Sequence, residues 1–169
     1  MTLSTHGATG AVVVALLPTH FYFALVLAFF SHFVLDAIPH LDYPLRSLDK
    51  KEEEKGVVDM KFGLAFIYDL MVVGADALFG LILAGLVSFL ILGSLSPLFL
   101  LGAFVAMVPD GLQFVYGKVR WRWLGLVQAF HVAIHTEHKM KGKIFLGIVS
   151  QVSLVIFIVG LGVVGAGFL

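Results

Sequence analysis

The 169-residue chain has no cysteine, which excludes disulfides, thiolate metal sites and cysteine nucleophiles and leaves any metal to nitrogen and oxygen ligands. Charge is scarce too. Only 13% of residues are Asp, Glu, Lys or Arg, and the formal net charge is +0, so no basic field marks a nucleic-acid partner and none is expected. A removable leader is not expected either, because Met1 to Thr5 carries no positive residue and no small-residue cleavage site precedes a soluble region. What the chain has in excess is apolar: 60% hydrophobic residues and a mean hydropathy of +1.02, far from the balance of a water-soluble globular domain.

Each membrane span needs roughly 20 apolar residues, so the length suits one compact helical domain. Apolar segments run from Leu3 to Leu17, stopping at Pro18, and from His20 to Ile38, stopping before Pro39, because proline disfavours helix in the residue before it and breaks the helix itself. A third covers Phe62 to Gly93, either as one tilted span or as a span broken near Gly74 or Gly80, and a fourth runs from Leu98 to about Tyr116 after the turn Ser94 to Pro97. The glycine-rich stretch Ile144 to Leu169 makes a last span, its glycines suited to close packing. The expectation is an all-α, polytopic membrane helical bundle with about five membrane helices and one interfacial amphipathic helix, forming a single domain over 1–169.

Two segments interrupt the apolar pattern. Residues 39–61 form a polar loop whose charge run, Asp49 to Lys55, reads as a solvated loop or a short surface helix. Residues 118–143 are basic and His-rich, open on Lys118-Val119-Arg120-Trp121-Arg122-Trp123, and suit a membrane interface, with a helix near that interface over 124–140. All eleven Lys and Arg residues lie in 46–61 or 118–143, and the other two connections have none. The positive-inside rule then places both basic segments and the N-terminus in the cytoplasm, and the chain in the cell (plasma or inner) membrane as a multi-pass protein.

A helical rise of about 1.5 Å per residue allows each ionisable residue to be placed by depth. His6, His32, Asp36, His40 and Asp42 fall at one edge, Asp69 and Asp110 slightly deeper in the same leaflet, Asp76 nearer the midplane, and His20 on the far side. His32 and Asp36 share a helix face at i, i+4, while His131, His135 and His138 form a stripe continued by Gln128. Unpaired carboxylates in hydrocarbon are costly, and Asp36 also stands at a helix C-terminus, where the macrodipole disfavours an anion. Every Lys and Arg is in a loop, so histidine, protonation or a bound ion must neutralise the aspartates. Histidine and aspartate without cysteine suit zinc or another divalent ion such as manganese. Structural readings stand beside this one: His32 and Asp36 bonded to each other, the histidine stripe snorkelling to water, Asp69 and Asp76 protonated and bonded across helices, and Asp110 relieving a kink at Pro109.

Thr5-His6-Gly7, Ser31-His32-Phe33-Val34-Leu35-Asp36 and Val108-Pro109-Asp110 resemble the membrane-bound metal-dependent hydrolases of bacteria and archaea, which carry an early histidine and a Ser-His-x-x-x-Asp motif on a membrane helix. The resemblance covers about 35 N-terminal residues and a few later ones. It implies that His6, His32, Asp36 and Asp110 are metal ligands. The family's Pro-Asp-x-Asp-His is only Pro109-Asp110-Gly111 here, and its His-Arg-Gly-x-Thr-His-Ser is absent. By depth and spacing, His131 and His135 are candidates to replace the missing histidines.

The function expected on this basis is hydrolysis of a lipid or amphipathic (phospho)ester at the cytoplasmic leaflet by metal-activated water. Asp69 or His40 is the candidate general base. Arg120 and Arg122 either hold an anionic headgroup or anchor the interface. The partners expected are membrane lipids and an amphipathic substrate. Two alternatives stay open: a proton or cation transporter whose path is formed by Asp69, Asp76, Asp110 and the histidines, and a noncatalytic membrane subunit that docks through the 39–61 loop.

Overall fold

The computed structural model describes residues 1–135 and 143–167, and within them the chain is all-helical. Seven helices follow in order: α1 (Leu3–Leu16), α2 (Phe21–Asp36), α3 (Lys50–Glu53), α4 (Leu64–Leu92), α5 (Pro97–Val119), α6 (Arg122–Ile134) and α7 (Ile144–Ala166). Helices α4, α5 and α7 are long and apolar enough to cross a membrane, and α1 and α2 are shorter apolar helices. The third apolar segment is one unbroken helix of 29 residues, so neither Gly74 nor Gly80 interrupts it. It stops at Gly93, whose φ of 67° is the left-handed C-cap conformation glycine adopts most readily. Ser96 then caps α5, accepting a hydrogen bond from the Leu98 N–H, with Pro97 at the first helical position.

The shortest apolar helix forms the core. α1 is buried around nearly its whole circumference and packs against α2, α4, α5 and α7. A helix apolar all round belongs in the middle of a bundle, and the small residues Gly7, Ala8, Gly10, Ala11 and Ala15 let its neighbours approach closely. Gly102 of α5 faces Gly10, and a Cβ on Gly102 would stand 2.7 Å from the Gly10 carbonyl oxygen. Gly102→Val is therefore expected to destabilise the bundle by about 3 kcal/mol, the upper range of overpacking costs. Thermal unfolding in detergent measures it, and Gly74→Ala, where a Cβ meets open space, is the control.

The 39–61 loop splits into two parts. Its charge run is the short surface helix α3, capped by Asp49, as one of the two sequence readings has it. The rest folds back onto the bundle and buries His40, Ser47, Val57 and Met60. Lys118 Nζ reaches Asp59 Oδ1 at 2.7 Å, and Arg120 reaches Glu52 at the same distance. Lys55 and Arg120 hold the Glu52 carboxyl below the usual carboxylate range. These contacts bring the two basic segments together at one end of the bundle.

Candidate metal centre

The centre lies at the end of the bundle where those segments meet. On α2 the buried face runs Ala24, Ala28, His32, Asp36, one residue per turn, so two small residues bring the helix close before the two ionisable ones appear. His32 and Asp36 thereby meet α1 and α5 rather than lipid. Pro109 crowds the turn of α5 before it, and there the Ala106 carbonyl accepts a hydrogen bond of 2.9 Å from His32 Nδ1. α6 lays Leu124, Gln128 and His131 against the bundle, while Trp123 and Phe130 on its other side are exposed.

Asp36 is the hub. Its Oδ2 lies 2.9 Å from His131 Nε2, 3.2 Å from His32 Nε2 and 4.0 Å from His135 Nε2. Its Oδ1 lies 2.7 Å from the Met1 amino group, 3.3 Å from His6 Nε2 and 3.9 Å from His40 Nε2. Asp110 Oδ1 closes the group at 3.5 Å from His32 Nε2. Donor atoms of His32, Asp36, Asp110 and His131 all fall within 4.8 Å of one another. Zinc–ligand bonds of about 2.1 Å put tetrahedral donors about 3.4 Å apart, close to the 2.9, 3.2 and 3.5 Å that separate His131 from Asp36, His32 from Asp36 and His32 from Asp110.

Protons alone account poorly for this packing. A carbonyl only accepts, so His32 Nδ1 carries a hydrogen toward Ala106 and His40 Nδ1 carries one toward Ile38, 2.7 Å away. In the neutral rings Nε2 then presents a lone pair. That of His32 faces Asp36 and Asp110, and that of His40 faces Asp42 Oδ1 at 2.7 Å. The Nε2 atoms of His6, His32 and His40 are buried with no hydrogen-bond partner. Lone pairs meeting carboxylates at these distances call for a proton or another cation between them. Protonating both His6 and His32 sets charge against charge, since the rings stack at 3.9 Å, and two unit charges 4 Å apart repel by about 4 kcal/mol at an effective dielectric of 20. A single divalent ion satisfies several donors together, so the donor set fits a divalent metal. The Nδ1 bonds of His32 and His40 are the outer contacts that orient metal-binding imidazoles.

The remaining site candidates divide. His6 reaches the same carboxylate from α1 but on Oδ1, outside the four-donor group. His135 borders the group and is 20% exposed. His138 lies outside the described residues. Asp69 accepts from the backbone N–H groups of Arg46 and Ser47 and from the Ser47 hydroxyl, so it anchors the loop, and it also lines the cavity beside the centre. His40, the other candidate base, belongs to the donor cluster. Arg120 is committed to Glu52, and Arg122 is exposed on α6.

α1 begins a dozen residues along α4, so its first turn meets Asp76 at that residue's own depth. Its Oδ2 accepts from the Ser4 N–H at 2.9 Å and from the Tyr43 hydroxyl, so an anion caps the positive end of α1. Burial, and then the Asp76 carboxylate, push the Tyr43 phenol up from its ordinary pKa.

Sequence reasoning left out Gln113, whose Nε2 donates to Asp110 Oδ1 at 2.9 Å and lies 3.3 Å from His131 Nε2. The i, i+3 spacing from Asp110 was its one available signal. It also left Asp42 without a role.

A cavity of about 1430 Å³ opens beside the centre. Asp42, Asp110 and His135 line its polar end, and Leu70, Val73 and Leu81 of α4 line its apolar length. Asp110 and Asp42 are 29% and 27% exposed, against 0% for His32 and His6, so the donors are reached from the cavity side. Compared with models of known families, with curated proteins and with solved structures, the chain matches none.

Proposed function

We infer that the protein is a metal-dependent hydrolase embedded in the membrane, acting on a lipid or another amphipathic phosphoester. The observation that carries this reading is the pair of oriented imidazoles, His32 and His40, whose Nδ1 atoms are held by backbone carbonyls and whose buried Nε2 atoms face carboxylates. His32, Asp36, Asp110 and His131 would hold the ion, and zinc or manganese suits such nitrogen and oxygen donors. A bound divalent ion would supply Lewis acidity and a nucleophile near neutral pH.

The chain's own residues do the rest. Gln113 holds Asp110 and His131 in register, and the buried walls around His6 and His32 exclude bulk water. The cavity stripe from Phe66 to Leu81 follows α4 for about 22 Å, longer than the roughly 15 Å of one hydrocarbon leaflet. It suits an acyl or isoprenoid chain whose headgroup rests at Asp110 and His135. Lys and Arg are concentrated at this end, and the positive-inside rule makes it cytoplasmic. A transporter would need titratable groups along a path, whereas Asp69 and Asp76 are engaged by backbone and hydroxyl donors.

Elemental analysis of the purified protein, paired with hydrolysis assays on phosphatidate and isoprenyl phosphates, tests the reading. Bound zinc or manganese is expected, with activity lost in His32→Ala. Protein that takes up no metal from excess zinc or manganese, and whose His32→Ala form is unchanged in metal content and stability, would overturn it.

A further inference from the structure

We propose that the centre holds two divalent ions, with Asp36 bridging them. This rests on the metal-centre reading above and adds a second position to it. The two oxygens of Asp36 meet adjoining donor sets: Oδ2 faces His32 and His131, with Asp110 alongside and His135 at 4.0 Å, and Oδ1 faces His40 at 3.9 Å beside the nearer Met1 amino group and His6. Asp36, His40 and His135 form a second group whose donor atoms lie within 4.8 Å of one another. Asp42 completes it, with Oδ1 2.7 Å from His40 Nε2 and 3.9 Å from His135 Nε2. A carboxylate with one oxygen on each side suits ions about 3.5–4 Å apart, the separation at which two metals clamp the attacking and leaving oxygens of a displacement.

Charge favours the pair. Three carboxylates, Asp36, Asp42 and Asp110, converge here. One dication leaves them net negative, and adding the Met1 ammonium, 2.7 Å from Asp36 and 3.5 Å from Asp42, brings the site only to neutrality. Two dications make it net positive, which an anionic phosphoester requires and a neutral carboxylic ester does not. The second ion thus selects phosphoesters. Its position is also the more open one, since Asp42 and His135 both line the cavity.

The test is metal stoichiometry of the full chain in detergent, with electron paramagnetic resonance of the manganese-loaded form. Wild type is expected to bind two ions per chain and give a spin-coupled spectrum. His135→Ala and, independently, Asp42→Asn are expected to bind one ion and give the uncoupled spectrum of a single manganese. Both residues are partly exposed, and helicity by circular dichroism verifies that the variants fold. Saturation of wild type at one ion with an uncoupled spectrum would overturn the second site alone, leaving the Met1 ammonium as the second cation. Absence of any bound ion would overturn the metal centre as well.

Discussion

Asp36→Asn is expected to lower metal affinity at least about a thousandfold, equivalent to about 4 kcal/mol, the range found when one partner of a buried ionic cluster is removed. Hydrolytic activity should fall with it. Among the described residues no other side chain has this reach: helices α1, α2 and α6 and the segment after α2 all bring a nitrogen to its two oxygens. The amide is nearly isosteric, so the loss reports charge rather than shape. Asp69→Asn serves as the contrast. It removes a buried carboxylate on α4 that binds only the loop, so metal content should stay at the wild-type level while stability drops. Wild-type metal content in Asp36→Asn would refute the assignment, since among the described residues no alternative carboxylate meets both donor sets.

Saturating zinc or manganese is expected to stabilise the folded protein by about 4 kcal/mol at a free concentration a thousand times Kd, raising the detergent Tm by roughly 10 °C for a chain of this size. A chelator should reverse the gain. Without the ion, lone pairs and carboxylates buried beside Asp36 face one another at 2.7–3.3 Å, and binding relieves that repulsion in the native state alone. Protons compete for the same lone pairs. The metal-dependent increment should therefore be largest at the alkaline end of a pH series and shrink toward the acid end. A Tm indifferent to metal and chelator at both ends of this range would sink the idea.

Much of this was legible before any coordinates. Prolines 18, 39 and 97 mark helix boundaries because their backbone chemistry is local, and the helices begin and end within a few residues of those marks. His32 and Asp36 were readable as a pair because i, i+4 spacing puts any two residues on one helix face. Counting depth along each helix assumes that helices start at a common level, whereas α1 starts partway along α4, level with Asp76, which sequence spacing does not carry. For Asp69 the structure adds bonds to the 39–61 loop that sequence could not show, because a buried carboxylate looks the same in sequence whether it faces a substrate or caps a loop.

Composition and hydropathy alone therefore determined a cysteine-free helical membrane bundle and nominated histidine and aspartate as its reactive groups, since burial of apolar surface and helical periodicity act through neighbours in sequence. Tertiary structure decided which of those groups share a centre. Asp36 and His131 are 95 residues apart and meet at 2.9 Å, and Asp42 and Gln113 join them from a loop and a different helix. Such convergence depends on how closely small residues let α1, α2 and α5 approach, and on where the loop folds back. Those are properties of packing in three dimensions, and no periodicity in the chain encodes them.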